Sequence, residues 1–288
     1  GHTLAGQFDP DYPPLCTCCD EARDQGGLVI WCHNGCGMEA PIAAALGKLD
    51  AFNLFDPFWM DPEYDLWYNL LNCGLRLPAS TGTDWFVCSN NRVYVHTEKD
   101  FSYENWIDGM KKGRTFITNG PVIDMKINDA PIGATLPLDG GGTLDAEVTF
   151  QSHYPVDAVE IIMDGKVVDR RFADRRLANE SGFDDGDAFS GTIRCKVTAQ
   201  NDGWIAARAW GHSRDSFNQS LFAHTSPTWF SCGRPPAQRQ ESARFFLESI
   251  DESLKWVDTM GRYNTDDQRE EVRELFRRGR EVYAGLAR

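Results

Sequence analysis

The stretch Arg76–Leu77–Pro78–Ala79–Ser80–Thr81–Gly82–Thr83–Asp84 is typical of a short strand that ends at a carboxylate. Earlier in the chain, Leu28–Val29–Ile30–Trp31–Cys32 is a second apolar run, and it ends at His33. In proteins built from β/α units, the functional side chains follow the carboxyl ends of the strands. Histidine and aspartate are both good ligands for divalent metals. We therefore expect His33 and Asp84 to face one site that holds a metal ion.

The composition narrows the class of protein. With 288 residues, of which 41% are hydrophobic, the chain can form one large domain or two to three smaller ones. The net charge of −14 argues against nucleic acid or an anionic membrane as partner, and no apolar run is long enough to cross a membrane. A small-molecule substrate is the expected partner. No signal peptide is visible, but the chain begins with Gly1–His2, so we expect its natural start to lie upstream.

The nine cysteines cannot all pair within one chain, because their number is odd. Cys16, Cys18 and Cys19 do not have the spacing of a zinc ribbon. We expect buried free thiols, with a metal shared by His33 and Cys36 as the weaker alternative. The cysteines are Cys16, Cys18, Cys19, Cys32, Cys36, Cys73, Cys88, Cys195 and Cys232.

Residues 1–120 alternate between helix and strand patterns, which predicts parallel β/α units. The predicted helices are Pro13–Gln25, Glu39–Lys48, Asp61–Asn72 and Ser102–Lys112, and Ser102 is the expected N-cap of the last one. The predicted strands are Leu28–Cys32, Leu49–Phe55, Arg76–Thr81, Arg92–His96 and Thr115–Thr118. These units amount to about half of an eight-stranded barrel.

Four motifs stand out in this region: Gly27–Asn34, Leu71–Asp84, Asn91–Val95 and Gly113–Pro121. In their residues and in their order they resemble motifs of the CehA/McbA-type metallohydrolases of the PHP (polymerase and histidinol phosphatase) superfamily. The resemblance implies a distorted β/α barrel that holds two or three metal ions at the carboxyl ends of its strands. It also implies hydrolysis of esters, amides, carbamates or phosphoesters with metal-activated water.

The resemblance assigns His33 and Asp84 as metal ligands with catalytic roles, and His2 as a third ligand. Zinc, manganese and iron all remain candidates for the ion. The neighbouring Asn34, Asn53 and Asp56 are candidates for groups that support the ligands. Arg76 and Arg92 are candidates for binding a substrate anion, although ordinary solvated or salt-bridged arginines are expected more often.

The sequence also departs from the family pattern. The family's early His-x-His pair and ligating glutamate have no counterpart, and Phe86 stands where many PHP proteins have a histidine. We therefore expect residues 1–120 to be the carboxyl-terminal half of a PHP-like domain with an incomplete site. A degenerate, non-catalytic protein is the alternative.

From residue 121 to residue 233 the pattern changes to short strands with frequent turns, which predicts an antiparallel, Ig-like β-sandwich. The predicted strands are Val122–Ile127, Leu144–Gln151, Ala158–Met163, Lys166–Phe172, Gly191–Thr198 and Gly203–Trp210. Between two of them, Asp164–Gly165 indicates a type I′ hairpin turn. The acidic stretch Glu180–Asp187 is expected to be a solvated loop rather than a calcium site. Trp204 and Trp210 are expected in the core rather than on a glycan-binding surface.

Residues 238–288 carry two apolar stripes at helical spacing, which predicts a helical hairpin that packs on the other domains or forms a dimer contact. The predicted fold class is thus α/β plus all-β: a partial PHP-like barrel, a sandwich and a helical tail. The leading hypothesis is a metal-dependent hydrolase. The alternatives are a non-catalytic binding or structural module centred on the sandwich, and a sandwich that binds glycans on exposed tryptophans.

Overall fold

The protein is a mixed α/β structure with several sheets. The computed structural model describes residues 10–32, 39–54, 64–83, 89–98, 100–173 and 182–288. Within these ranges there are six helices. They are α1 (Leu15–Asp24), α2 (Ala40–Ala45), α3 (Asp65–Asn72), α4 (Tyr103–Lys111), α5 (Arg239–Thr259) and α6 (Asp266–Leu286). None of them combines the length and the apolar character needed to cross a membrane.

A small parallel sheet lies in the first part of the chain. Its strands are β1 (Ile30–Trp31), β2 (Ala51–Asn53) and β3 (Ala79–Ser80), in that spatial order. Ile30 pairs with Ala51, and Phe52 pairs with Ala79. Because α2 and α3 connect these strands, this part of the chain has the parallel β/α connections that the sequence predicts. The described residues form an open three-stranded sheet here, with no closed barrel.

An eight-stranded sheet forms the central layer. Its strands are β4 (Arg92–Val95), β5 (Thr115–Thr118), β8 (Thr135–Pro137), β10 (Ala158–Met163), β11 (Lys166–Phe172), β14 (Gly203–Arg214), β15 (Ser220–Thr225) and β16 (Thr228–Ser231). The path β11-β10-β14-β15-β5-β4 is antiparallel throughout. The prediction of parallel pairing was therefore wrong for β4 and β5. Both join this sheet because β5 finds its partner in β15, about a hundred residues later in the sequence.

A five-stranded antiparallel sheet packs against the central sheet. Its order is β12 (Asp185–Gly186), β13 (Ser190–Ala199), β9 (Gly142–Gln151), β6 (Val122–Ile127) and β7 (Ala130–Pro131). Alternate residues of β6, β9 and β13 share one apolar core with alternate residues of β10 and β14. Part of the acidic stretch predicted as a loop, Glu180–Asp187, is the short strand β12, and residues 174–181 lie outside the described ranges.

The opposite face of the central sheet forms a second core. Successive residues of β14 point to different cores: Ile205 belongs to the first, and Trp204 and Ala206 to the second. This follows from the two-residue period of a strand. The second core also contains apolar residues of α2, α3, α5 and α6. The central sheet is covered on both faces, which explains why β14 and β15 are nearly continuous apolar runs.

The two long helices α5 and α6 form the predicted hairpin. Arg280 pairs with Asp251 at 2.6 Å, and Arg273 pairs with Asp258, also at 2.6 Å, so the helices run antiparallel. They pack on the described part of the same chain, with Ala243, Phe246 and Ile250 in the second core. The expectation of packing on the other parts of the chain is therefore confirmed.

The predictions that depend only on a few consecutive residues are confirmed. Asp164 and Gly165 both have positive φ, as a type I′ turn requires, and the strands pair directly across them. Ser102 is the N-cap of α4, and its hydroxyl accepts a hydrogen bond from the backbone N–H of Asn105 at 3.1 Å. The seven described cysteines are free thiols, while Cys36 and Cys88 lie outside the described residues.

Candidate functional site

Two of the candidate ligands follow, in the sequence, strands that end at the carboxyl edge of the parallel sheet. The strands β1, β2 and β3 all end at this edge, at Trp31, Asn53 and Ser80. Neighbouring strands lie about 4.8 Å apart, so β1 and β3 are separated by about 10 Å. In the sequence, His33 follows β1 by two residues and Asp84 follows β3 by four.

The three proposed ligands, His2, His33 and Asp84, lie outside the described residues, as do Asn34 and Asp56. The structure therefore describes the strands that precede two of these residues, and not the site itself. Of the candidate supporting groups, Asn53 is described, and it is the last residue of β2.

The residues at the carboxyl end of β3 are polar and buried. Ser80 and Thr81 are both nearly inaccessible to solvent. The start of β3 is attached to β5 and to the β15–β16 connection, because Thr115 Oγ1 donates to the Ala79 carbonyl at 3.1 Å and Ser226 Oγ accepts from the Ala79 N–H at 2.8 Å. This cross-linking holds β3 rigidly on the central sheet.

Asn91, at the start of β4, is a polar residue that the sequence analysis did not single out. It lies seven residues after Asp84, and only 1% of its surface is exposed. Neither polar atom of its side-chain amide has a hydrogen-bond partner in the described part of the chain. Because buried amides are nearly always paired, this amide requires a partner that the described residues do not supply. Its signal in the sequence was an asparagine directly before a strand.

The two candidate arginines have different surroundings. Arg92 donates through Nη1 to the carbonyls of Ser89 and Asn91, at 2.8 and 2.7 Å. It therefore holds the backbone that leads into β4, which is a structural role. Arg76 lies at the other end of β3 and lines a separate cleft.

A second polar cluster, centred on Glu160, lies between α3 and the central sheet. Glu160 has 1% of its side chain exposed and pairs with both Arg170 and Arg208. Beside it, the Tyr68 hydroxyl donates to His224 Nε2 at 2.7 Å, and His224 Nδ1 donates to the Thr225 carbonyl at 2.7 Å. A carbonyl can only accept, so Nδ1 carries the proton of the neutral ring.

The environment of this cluster keeps its groups in fixed protonation states. Burial lowers the pKa of His224 to about 3, and the positive charge of Arg208 acts in the same direction. Burial also raises the pKa of the Tyr68 hydroxyl well above its ordinary value. A neutral histidine and a neutral tyrosine that are bonded to each other and closed to solvent form a structural link.

The remaining histidines and tryptophans of interest are accounted for by ordinary contacts. His96 is exposed, with Nε2 3.8 Å from Asp124 Oδ1. His212 pairs with Asp157 at the surface. Trp204 is completely buried, and its Nε1 donates to Asn72 Oδ1 at 2.8 Å, which confirms its place in the core.

Among the described residues, no group of three or more His, Cys, Asp or Glu side chains is arranged to hold a metal ion. Comparison with models of known protein families found no match, and comparison with curated proteins found none either. On its described residues the chain is a mixed α/β protein with three sheets: a small parallel sheet covered by helices, a central sheet that is antiparallel except for the parallel pair β8–β16, and a five-stranded antiparallel sheet.

Proposed function

We propose that the protein is a metal-dependent hydrolase related to the CehA/McbA-type PHP enzymes, acting on a small-molecule ester, amide, carbamate or phosphoester. In this proposal the parallel sheet belongs to a PHP-like barrel, and the central sheet and the five-stranded sheet form an Ig-like sandwich. The observation that carries the proposal is the parallel alignment of β1 and β3, which precede His33 and Asp84. That alignment sends both chain segments out from the same edge of one sheet.

The residues suit a divalent metal by their chemistry. Imidazole nitrogen and carboxylate oxygen are the ligands that zinc, manganese and iron share. When bound, such an ion lowers the pKa of a water ligand and polarises the bond to be cleaved. His33 and His2 would hold the ion as neutral imidazoles, and Asp84 would hold it as a carboxylate that also positions the nucleophilic water. The unpaired amide of Asn91 offers both a donor and an acceptor seven residues beyond Asp84.

Metal content tests the proposal directly. We expect the purified chain to contain stoichiometric zinc, manganese or iron by mass spectrometry, and His33→Ala and Asp84→Ala to lose most of it. His96→Ala is the matched control, because His96 is an exposed histidine of the same region that is not proposed as a ligand. Circular dichroism verifies that each variant is folded. Ester and phosphoester screens on the metal-loaded chain then identify the bond that is cleaved.

Two outcomes of the metal measurement would contradict the proposal. A folded wild-type chain that takes up no metal, or one whose metal content is unchanged in both variants, would exclude this site. Such a result would leave two explanations: a fragment of a longer enzyme whose site is incomplete, and the rival hypothesis of a binding or structural module centred on the sandwich.

A further inference from the structure

A basic cleft opens at the amino end of β3, opposite to the edge that leads to Asp84. Its volume is about 260 Å³. Four segments that are distant in the sequence form it: the residues before β3, the α4–β5 turn, the β7–β8 turn, and the start of β16. The cleft is therefore a separate feature from the candidate metal site, and it does not depend on the proposed hydrolase activity.

Every ionisable residue that lines the cleft is positively charged. They are Arg76, Lys111, Lys112 and Arg114. This is unexpected in a chain in which 43 acidic residues outnumber 29 lysines and arginines. A concentration of like charge is unfavourable unless an opposite charge is bound nearby.

Two of the four cations have carboxylate partners. Lys112 pairs with Asp108 at 2.7 Å, and Arg114 pairs with Glu98 at 2.8 Å. Arg76 and Lys111 have no carboxylate partner among the described residues. The cleft therefore retains two positive charges that no described carboxylate neutralises.

Arg76 is held in position for binding. Its Nη1 donates to Thr135 Oγ1 at 2.8 Å, and its guanidinium lies 5.1 Å from the centre of the Trp229 ring. These contacts use one of five N–H groups and fix the plane of the guanidinium. A fixed guanidinium plane suits bidentate binding of a phosphate or carboxylate, and little side-chain entropy is lost on binding.

The backbone that carries the lysines is also fixed. Gly133 of the β7–β8 turn lies directly on the α4–β5 turn, since a Cβ there would be 2.8 Å from the Gly113 carbonyl oxygen. Both glycines have positive φ, at +82° and +69°. The close contact of the two turns fixes the backbone that carries Lys111 and Lys112, and both lysines line the cleft.

We propose that this cleft binds a phosphate group, either as inorganic phosphate or as the monoester of a small organic molecule. A phosphate monoester carries about −1.5 to −2 charges at pH 7, which matches the two unneutralised cations. The cleft is smaller than the roughly 300–1,000 Å³ of typical drug-sized sites, so it accepts a phosphate with a small attached group. The exposed part of the Trp229 ring provides an apolar contact for that group.

Isothermal titration calorimetry with inorganic phosphate and phenyl phosphate at constant ionic strength tests the proposal, with acetate as a singly charged comparison. We expect both phosphates to bind and acetate not to. Arg76→Gln and Lys111→Gln should each weaken phosphate binding by about tenfold or more, as expected for loss of a charge-assisted hydrogen bond. Lys126→Gln, which removes an exposed lysine of β6 outside the cleft, should leave the affinity unchanged.

The two ligands distinguish the source of the phosphate. Tighter binding of phenyl phosphate assigns the site to an organic monoester, and equal binding assigns it to the free anion. Lys111 has no described hydrogen bond or ion pair to lose, so Lys111→Gln separates loss of binding from loss of folding. The proposal is overturned if neither phosphate binds, if Lys111→Gln binds like the wild type, or if Lys126→Gln weakens binding equally.

Discussion

Glu160, which is buried, and Asp164, which is half-buried, show two ways in which a carboxyl group is accommodated inside the protein. Glu160 is nearly inaccessible and lies between Arg170 and Arg208, so its charge is fully compensated. Asp164 has no arginine partner; one oxygen accepts the Trp204 backbone N–H at 3.0 Å. Burial nevertheless raises the pKa of Asp164 to about 6, although this hydrogen bond and Lys166 act in the opposite direction.

The raised pKa of Asp164 makes stability depend on pH with a definite sign. The folded state holds the proton more tightly than the unfolded state, so this group's contribution is fully present below about pH 4 and is lost as the pH rises through about 6. Asp164→Asn should keep the turn, because Asn-Gly also forms type I′ turns, and remove the buried charge. We expect the substitution to raise the free energy of unfolding by about 1–2 kcal/mol at pH 7.5, a figure that allows for solvent screening of the charge. At pH 4 the increase should be much smaller.

Urea unfolding at the two pH values measures the difference. The matched control is Asp129→Asn, at a second turn position with positive φ but with an exposed side chain. Because this side chain is exposed, its replacement should change the free energy of unfolding by less than about 0.5 kcal/mol. An equal gain for Asp164→Asn at pH 4 and pH 7.5 would show that the carboxyl charge is not the cause.

At the scale of the elements, one helix–helix contact is so close that only a glycine fits in it. Helix α6 lies on α2 at Gly279, where a Cβ would be only 2.9 Å from two side-chain carbons of Ile42. One turn further, the Tyr283 hydroxyl donates to the Pro41 carbonyl at 2.8 Å. The helix therefore approaches α2 so closely that the contact requires a glycine.

The pair Gly279→Ala and Gly285→Ala tests this contact within one helix. In an exposed helix, alanine is favoured over glycine by about 1 kcal/mol. At position 285 nothing lies within 4 Å of the new methyl group, so we expect stabilisation by up to that amount. At position 279 the collision with Ile42 should outweigh the gain and give a net loss of about 1–2 kcal/mol.

Thermal and chemical unfolding of the two glycine variants gives both values. A stabilised Gly279→Ala would mean that α6 does not lie against α2 as described. A destabilised Gly285→Ala would mean that the end of α6 has a contact that the structure does not contain.

Over the whole molecule, the central sheet joins the other layers through buried polar links as well as apolar contacts. Tyr68 on α3 bonds to His224 on β15. Asn72 on the same helix accepts from Trp204 on β14, and its amide donates to Ser242 on α5 at 3.3 Å. A short helix thus fixes the position of the parallel sheet, the central sheet and the carboxyl-terminal hairpin relative to one another.

Tyr68→Phe tests how strongly the layers depend on these links. The substitution leaves His224 Nε2 buried without a partner, so we expect a loss of about 1–3 kcal/mol in the free energy of unfolding. Tyr94→Phe, at a half-exposed tyrosine that stacks on Phe116, should change it by less than about 0.5 kcal/mol. Denaturant unfolding followed by fluorescence and by circular dichroism measures both variants; equal effects of the two substitutions would contradict a structural role for the link.

Short stretches of sequence predicted the local structure well. The Asp164–Gly165 turn, the Ser102 cap and the two long helices each depend on neighbouring residues: a turn that needs positive φ, a hydroxyl beside free N–H groups, and an apolar stripe at helical spacing. The strands β15 and β16 were missed. β15 is buried on both faces, and β16 is only four residues long, so neither shows a clear alternation.

The candidate metal site was likewise expected from local motifs, because a strand followed by His33 or Asp84 can be recognised in a few consecutive residues. Strand partners cannot be recognised in this way. Whether β5 joins a parallel sheet or pairs with β15 depends on which distant strand buries its apolar face best, and the chain near β5 does not contain that information. The basic cleft depends still more on tertiary structure, since Arg76, Lys111 and Trp229 meet only when three separate segments pack together. Turns, caps and helices can be predicted from the sequence because they depend on contacts between neighbouring residues. A site made from distant segments forms only when long-range packing brings those segments together, so only the tertiary structure decides it.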